Sequence, residues 1–498
     1  MENKGIDIEA LIKKNDSLEK ENASLNVEIL YLKQELAQFK RLIFGSKSEK
    51  HTSSHDGQLS LDMGLEPQEN QQDTPKEILV KRKISNTKKS KPVRCALPAH
   101  LPRQEFIIEP ENKTEKDRKF GEEITEILEY IPGKFYVKRF VRPKYITENQ
   151  SIIIAELPTV PLPKSNAGAS LLAHLFVSKF VDHLPFYRQV QMYKRENMTF
   201  SESTINDWFS ESCRLLEPLY DFMVKKVTQS NYLQADETPI KVLTSNKKEA
   251  THRGYHWVFH SPRDGLICFH YDASRSAKVP EEFLKDFKGI LQTDAYSGYN
   301  QLSNRQGIVS VACMAHIRRK FFEAKENDAQ RAEKVLNAIA KLYQVERIIR
   351  NNNVSADKIL KLRHTYSRLI MNDLEKWFKS QLTEVLPKSK IGQAIAYALG
   401  IWSKMEKYLD HPEVQIDNNQ VENSIRPVAI GRKNYLFAGS HQGAKRAAMM
   451  YTFFASCKKN NVNPQQWLTH TLTVIQDYSI KKLEELMPNN FEKIANLL

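Results

Sequence analysis

Asp236 in NYLQADETPI, Asp294 in GILQTDAYSGYN and Glu422 in DNNQVENSIRPVAIGRKNYLFAGS are three acids in three distinctive settings. The first two close apolar runs that read as β-strands, and the third lies on a polar helical stretch. Carboxylate oxygens are what a hard cation such as Mg2+ selects, and that ion takes only one or two of them, leaving positions for water and phosphate. A pair of such ions about 4 Å apart activates the attacking oxygen and stabilises the leaving one in phosphoryl transfer. A carboxylate shared between two Mg2+ ions, plus one further acid for each, is the minimal ligand set, and Asp236, Asp294 and Glu422 supply three acids for it, with Mn2+ able to substitute. Taken singly, each acid has an ordinary explanation. A strand-terminal Asp often bonds its own backbone in a turn, and Asp272 is a rival at the end of a hairpin strand. Arg426, one turn beyond Glu422, is placed for a solvent-facing ion pair of small worth, and Asp417 is a decoy for the third ligand. The metal reading rests on the order and context of all three.

Basic residues cluster close behind the third acid: Arg426, Arg432, Lys433, Lys445 and Arg446. Such side chains would hold a phosphodiester backbone and offset the charge of its oxygens. Tyr435 and Phe437 are candidates for stacking on an unpaired base, with core packing the stronger expectation for Phe437. In CMAHIRRKFFEA, Cys313 and His316 have the spacing of half a zinc site with no second half nearby. His316 is therefore read as a supporting hydrogen-bonding group of the active-site region, with Arg318, Arg319 and Lys320 facing substrate.

Several elements must position these residues. Leu11, Leu18, Leu25 and Leu32 repeat every seventh residue, with Asn15, Asn22, Ile29 and Leu36 at the alternate seam positions, a heptad pattern that favours an in-register pair of helices. The polar, basic stretch that follows cannot bury enough apolar surface to fold alone. Strand-like pieces EFIIEP, ITEILEYIP, KFYVKRFVRPKYI and SIIIAELP predict a small β-rich module. Helical periodicity then takes over, with Ser201 placed to cap a helix beginning near Glu202. Ser203, Thr204 and Asn206 at its start are candidate DNA contacts in a helix-turn-helix reading, while Trp208, Leu215 and Leu216 are core. Next come strand NYLQAD, a hairpin turning at Pro262 to Gly265, strand GILQTD, and strand IVSVACMAH running into helix IRRKFFEA. That is the order of a ribonuclease-H-like α/β core. A helical pattern from Glu326 to His411 reads as an insertion, because Glu422 must still return to the two aspartates.

The expected fold class is multidomain α+β. Its parts are a coiled coil over 1–44, a flexible basic linker over 45–94, a β-rich module over 95–164 and a helix-turn-helix-like region over 165–228. The catalytic core spans 229–325 and 413–460, interrupted by the helical insertion 326–412 and followed by a helical tail over 461–498. The 74 Lys+Arg against 60 Asp+Glu give a formal charge of +14, which suits a polyanionic partner such as nucleic acid. Cysteines are few, scattered and odd in number, without a CxxC pair, as in reduced thiols rather than a disulfide framework. No signal-peptide core or membrane-length apolar run is present, so the expectation is a soluble cytoplasmic protein with no membrane partner, nucleoid-associated when bound to DNA.

The strings QADETPIKVL, LQTDAYSGYN, CMAHIRRKFFEA and NNQVENSIRPVAIGRKNYLFAGSHQGAKRAA resemble the catalytic signatures of transposases from bacterial insertion sequences of the sixty-six family. LFVSKFVDHLPFYRQ, STINDW and the coiled coil running into LIFGSKSEK are similar to the same family's upstream regions. The resemblance implies a DDE transposase with Asp236, Asp294 and Glu422 as its triad. Such an enzyme binds the element's terminal inverted repeats as an oligomer, frees a 3′ hydroxyl and directs it at target DNA, usually alongside small accessory proteins of the same element. The family's zinc-binding module normally carries cysteines, whereas PENKTEKDRKFGEEITEILEYIPGKFYVKRFVRPKYITENQ has none, so no zinc is expected there. The rival readings are a nuclease or resolvase on the same fold and a DNA-binding regulator without catalysis.

Overall fold

The computed structural model describes residues 133–491, apart from 134, 143, 147–151, 155, 157, 164 and 244–250. The heptad segment, the basic linker and most of the cysteine-free stretch lie outside the described residues. In the β-rich region a short antiparallel pair is described, β1 (Lys144–Ile146) with β2 (Ile152–Ile154). Residues 135–142, which KFYVKRFV predicts as strand, are irregular, with Tyr136, Val137 and Val141 exposed. β-propensity alone does not make a strand; its backbone groups need a neighbouring chain to pair with.

Three helices follow: α1 (Ala169–Phe180), α2 (Phe186–Arg195) and α3 (Glu202–Thr228). Ser201 caps α3 as its position predicts, its hydroxyl accepting from the Thr204 amide at 3.0 Å. Trp208 and Leu216 are buried and Leu215 packs against the same core.

A five-stranded mixed sheet forms the centre. Its strands are β3 (Tyr232–Leu243), β4 (Thr251–Ser261), β5 (Leu266–Asp272), β6 (Gly289–Gln292) and β7 (Ile308–Val311), in spatial order β5-β4-β3-β6-β7. The first three pair antiparallel, while β6 is parallel to β3 and β7 to β6. This arrangement is consistent with a ribonuclease-H-like fold. Gly265 closes the β4–β5 turn at φ 66°, where a Cβ would be strained.

β3 does not stop at Asp236, as the apolar run predicts, but continues to Leu243 because β4 pairs with it out to Leu243 opposite Thr251. On its other side, pairing with β6 reaches only Gln234. Pro239 is tolerated because β3 is a free edge on that side.

Alternation along the strands divides the apolar residues between two cores. Leu233 and Leu291 join α1 and α3 on one face of the sheet, whereas Tyr232 and Ile290 join α5 (Met314–Ala324) and the helices after it on the other. α4 (Lys278–Phe283) precedes β6. Beyond α5 come α6 (Ala329–Asn351), α7 (Ala356–Leu362), α8 (Arg368–Gln381) and α9 (Lys390–Glu406), helical throughout as the pattern predicts. The chain then returns through α10 (Asn419–Tyr435), α11 (His441–Lys459) and α12 (Pro464–Val474). α11 covers β5, an edge strand: Ser456 Oγ and Thr452 Oγ1 accept from the Ile267 and Phe269 amides at 3.0 and 2.8 Å. Hydroxyls thus replace the missing strand partner.

Candidate active site

Two glutamines set the register of the site. Gln234 of β3 lies opposite Gln292 of β6, so Asp236 and Asp294 each stand two positions further along neighbouring parallel chains. Gly289, at φ 142°, lets β6 lie this close, since a Cβ there would collide with the Asn231 carbonyl. The same glutamines bring in the third acid. Gln234 Nε2 donates to Gln292 Oε1 at 3.0 Å and to the Asp417 backbone carbonyl at 3.1 Å, and Gln292 Nε2 donates to the Gln415 backbone carbonyl at 2.8 Å. The Tyr232 hydroxyl donates to Gln292 Oε1 at 2.6 Å and accepts from the Gln415 amide at 3.2 Å. This buried amide network fixes residues 415–417, from which α10 departs carrying Glu422.

The far end of α10 is fastened as well. Ala438 bonds along the free edge of β3, its amide donating to the Lys241 carbonyl at 2.8 Å and its carbonyl accepting from Leu243 at 2.9 Å. Arg432 donates to the Pro239 carbonyl. Gln292→Leu strands several of these partners in a dry interior, each unsatisfied group costing ~1–3 kcal/mol. Urea denaturation is expected to show a loss of at least about 2 kcal/mol.

The electrostatics of the acids bear on each other. Asp236 is half-buried, and burial pushes its carboxyl well above the usual carboxylate range; the charges of Glu237, Asp294 and Glu422 push it further. Glu422 is raised by burial first; His316 opposes this, while Asp417 and Asp294 add to it. The Glu237 amide, which donates to Asp236 Oδ1 at 2.8 Å, works against the rise at Asp236. Arg275 offsets Glu237, and His316 and Arg319 act on Glu422, but the mutual repulsion at Asp236 is what a divalent cation relieves, so the residues fit Mg2+. Glu422 does not reach for Arg426. Its Oε1 instead lies 3.8 Å from His316 Nδ1.

The decoys have other work. Asp417 is buried and accepts from the Tyr343 hydroxyl at 2.8 Å and from Asn419 at 3.1 and 2.9 Å. Asp272 Oδ1 accepts the Ser274 amide at 2.7 Å in a turn. Of the basic candidates, Lys433 and Lys445 are exposed; Arg426, Arg446 and Arg318 are half-buried; Arg319 pairs with Glu323 at 3.1 Å. Arg432 is half-buried and held on β3. Ser203 and Thr204 stand at the start of α3, both hydroxyls 2.7 Å from Ser201 Oγ. Tyr435 bonds the Tyr451 hydroxyl, whereas Phe437 is exposed.

Sequence reading passes over Glu237. Its side chain is only 2% exposed and is gripped by Arg275, with Nε to Oε1 at 2.9 Å, while the Tyr299 hydroxyl donates to Oε2 at 3.1 Å. Arg275 lies 3.9 Å from the Tyr296 ring centroid, its carbonyl accepts the Tyr296 hydroxyl at 2.6 Å, and the Tyr296 amide donates to Asp294 Oδ1 at 2.9 Å. A brace therefore runs from the residue beside Asp236 to Asp294. The repeated tetrapeptide Leu-Gln-x-Asp, in LQAD and LQTD, is the sequence signal for the glutamine register; Arg275 carries none. Arg275→Ala is expected to raise the Mg2+ concentration for half-maximal strand nicking by about 10–100-fold, the usual effect of losing an outer support of a metal site.

Comparison with known proteins places the chain in a family. The family profile described as "Transposase IS66 family" matches residues 164–446, a span holding all three acids and both glutamines. A leucine-zipper profile described as "Transposase C of IS166 homeodomain" matches 31–106, and "IS66 C-terminal element" matches 452–489. The chain is similar to the uncharacterized protein y4jD of Sinorhizobium fredii, at 30% identity over 96% of this chain and 98% of the relative. The uncharacterized protein y4qI of the same organism is 32% identical over 84% of this chain and 81% of its own. With the profile match covering more than half its length, the chain belongs to the IS66 family of transposases, the DDE enzymes of mobile insertion sequences.

Proposed function

We propose that this protein binds the terminal inverted repeats of its own insertion sequence, cleaves a strand at each end and joins the freed 3′ hydroxyl to target DNA. The observation that carries the reading is the accumulation of negative charge around Asp236, two positions beyond the point where the parallel strands β3 and β6 stop pairing and against the helix that bears Glu422. Asp236, Asp294 and Glu422 would hold two Mg2+ ions, or Mn2+. When bound, such ions activate the attacking oxygen and stabilise the leaving one. The chain's own part is to fix its carboxylates through the glutamine network and the Glu237–Arg275 brace. Lys433 and Lys445, exposed beyond the third acid, would neutralise phosphates, and Arg426, Arg446, Arg318 and Arg319 would extend that track. The sheet order supports a ribonuclease-H-like core, and the leucine-zipper match, which begins at residue 31 in the last of the heptads, supports pairing of two chains, so that both element ends would be held at once.

The test is incubation with the DNA flanking its gene, a target plasmid and Mg2+, followed by mapping of the ends. Strand breaks at the repeat termini and covalently joined product are expected. Breaks without joining, even from a pre-nicked end, would make it a nuclease, and binding without breaks a regulator.

A further inference from the structure

The Cys313–His316 pair lacks a second half only in the linear sequence. In the fold, Glu422 supplies a third ligand: Cys313 Sγ, a His316 ring nitrogen and a Glu422 carboxylate oxygen all lie within 4.8 Å of one another. We infer that these three side chains form a binding site for a thiophilic divalent cation of the Zn2+ class, separate in ligand chemistry from the magnesium carboxylates but sharing Glu422 with them.

Local structure favours this. Cys313 is the N-cap residue of α5 and His316 stands one turn inside it, so both project from one side of the helix start. The Asn418 amide, at the start of α10, donates to Cys313 Sγ at 3.4 Å. Two helix N-termini thus meet at the sulfur, an environment that favours a thiolate. Burial in the absence of metal opposes it and pushes the thiol well above its ordinary value. A coordinated cation resolves that conflict by displacing the thiol proton to solvent.

A further observation points to a ligand. His316 Nδ1 is buried with no hydrogen-bond partner, although it faces Glu422. Native interiors rarely leave such atoms unsatisfied without a reason. Tetrahedral Zn2+, with bonds of about 2.0–2.3 Å, brings its ligand atoms to roughly 3.5 Å of each other. A contraction of at most about 1.3 Å per ligand pair closes the site. Three protein ligands leave a fourth position open for water or a phosphate oxygen. A thiolate and an imidazole select Zn2+ or Co2+ over Mg2+. On the proposed function, occupancy would draw Glu422 away from the magnesium set, making the site an inhibitory one.

The full-length protein, stripped with chelator and held in excess Mg2+, is titrated with Co2+ while thiolate-to-cobalt charge-transfer absorption is followed. The expected result is a saturable band that Cys313→Ser abolishes and Cys95→Ser leaves intact, with His316→Ala and Glu422→Gln weakening binding by more than about tenfold. No band in the wild-type protein, or a band that survives Cys313→Ser, overturns the inference. Zinc-edge X-ray absorption on the wild-type protein needs no variant: one sulfur with nitrogen and oxygen neighbours supports the site, and an oxygen/nitrogen shell without sulfur rejects it. Neither measurement uses DNA, so a failure of the transposition assay leaves this result standing, and the reverse.

Discussion

Asp236→Asn is expected to reduce magnesium-dependent strand cleavage by at least about a thousandfold, roughly 4 kcal/mol of transition-state stabilisation, with DNA binding largely retained. Asp236 is the acid on which the other charges converge, so on the proposed function it would have the largest stake in the cation. The same substitution has an opposite effect on the empty fold. Burial, then Glu237, Asp294 and Glu422, raise the Asp236 carboxyl above its unfolded value. A carboxyl raised in this way contributes stability that is complete below the unfolded value of about 3.9 and is lost as pH rises through the folded one. At neutral pH without metal, the ionised carboxylate is therefore a cost that asparagine removes. In chelator the variant should melt above the wild-type protein by a margin that grows from acid to neutral pH, whereas Mg2+ should raise the melting temperature of the wild type alone. A variant that still nicks DNA, or that keeps the full Mg2+ response, would remove Asp236 from the metal set.

Acidification is expected to destabilise the protein steeply through two buried histidines. Burial holds His256 neutral and depresses it to about 3, helped by the neighbouring Arg432 and His270; burial and then Lys459 do the same to His260. Here the folded value lies below the unfolded one, so the stability is present above about pH 6.5 and is lost as pH falls toward the folded value. Each histidine contributes a slope of about 1.4 kcal/mol per pH unit within that window, so together they remove about 5 kcal/mol between pH 6 and 4. That is comparable with the whole stability of many domains. The raised carboxyls work in the other direction, so the variant matters. Neither ring nitrogen of His256 has a hydrogen-bond partner, so His256→Phe sacrifices none. It should preserve stability at neutral pH and halve the histidine part of the acid slope. His260 is different, since its Nδ1 meets Gln234 Oε1 at 3.1 Å within the network that fixes α10. Urea titrations at about pH 6.5, 5.5 and 4.5 provide the check, and an unchanged slope in the His256 variant would exclude this origin.

Local pattern goes far in this chain. The Pro262–Gly265 turn, the Ser201 cap and the almost uninterrupted helical periodicity after Glu326 are properties of short windows, and each appears in the fold at its expected place. The three acids are legible for a related reason: their neighbours repeat recognisable strings. The end of β3 is misread because an apolar run ends where burial changes, not where hydrogen bonding ends, and β4 keeps pairing beyond it.

The sequence by itself determined most of the elements of the core and their order, and it singled out three acids as candidates, because periodicity, capping and side-chain chemistry act between residues close along the chain. Only the tertiary structure decided how those acids are held. The pairing of Gln234 with Gln292, the grip of Arg275 on Glu237, the capture of Arg432 by Pro239 and the approach of Glu422 to His316 and Cys313 join residues far apart in sequence. Such contacts depend on which strands become neighbours and on where a helix returns after a long insertion. No window of sequence contains both partners, and their energies exist only once the sheet has closed around them.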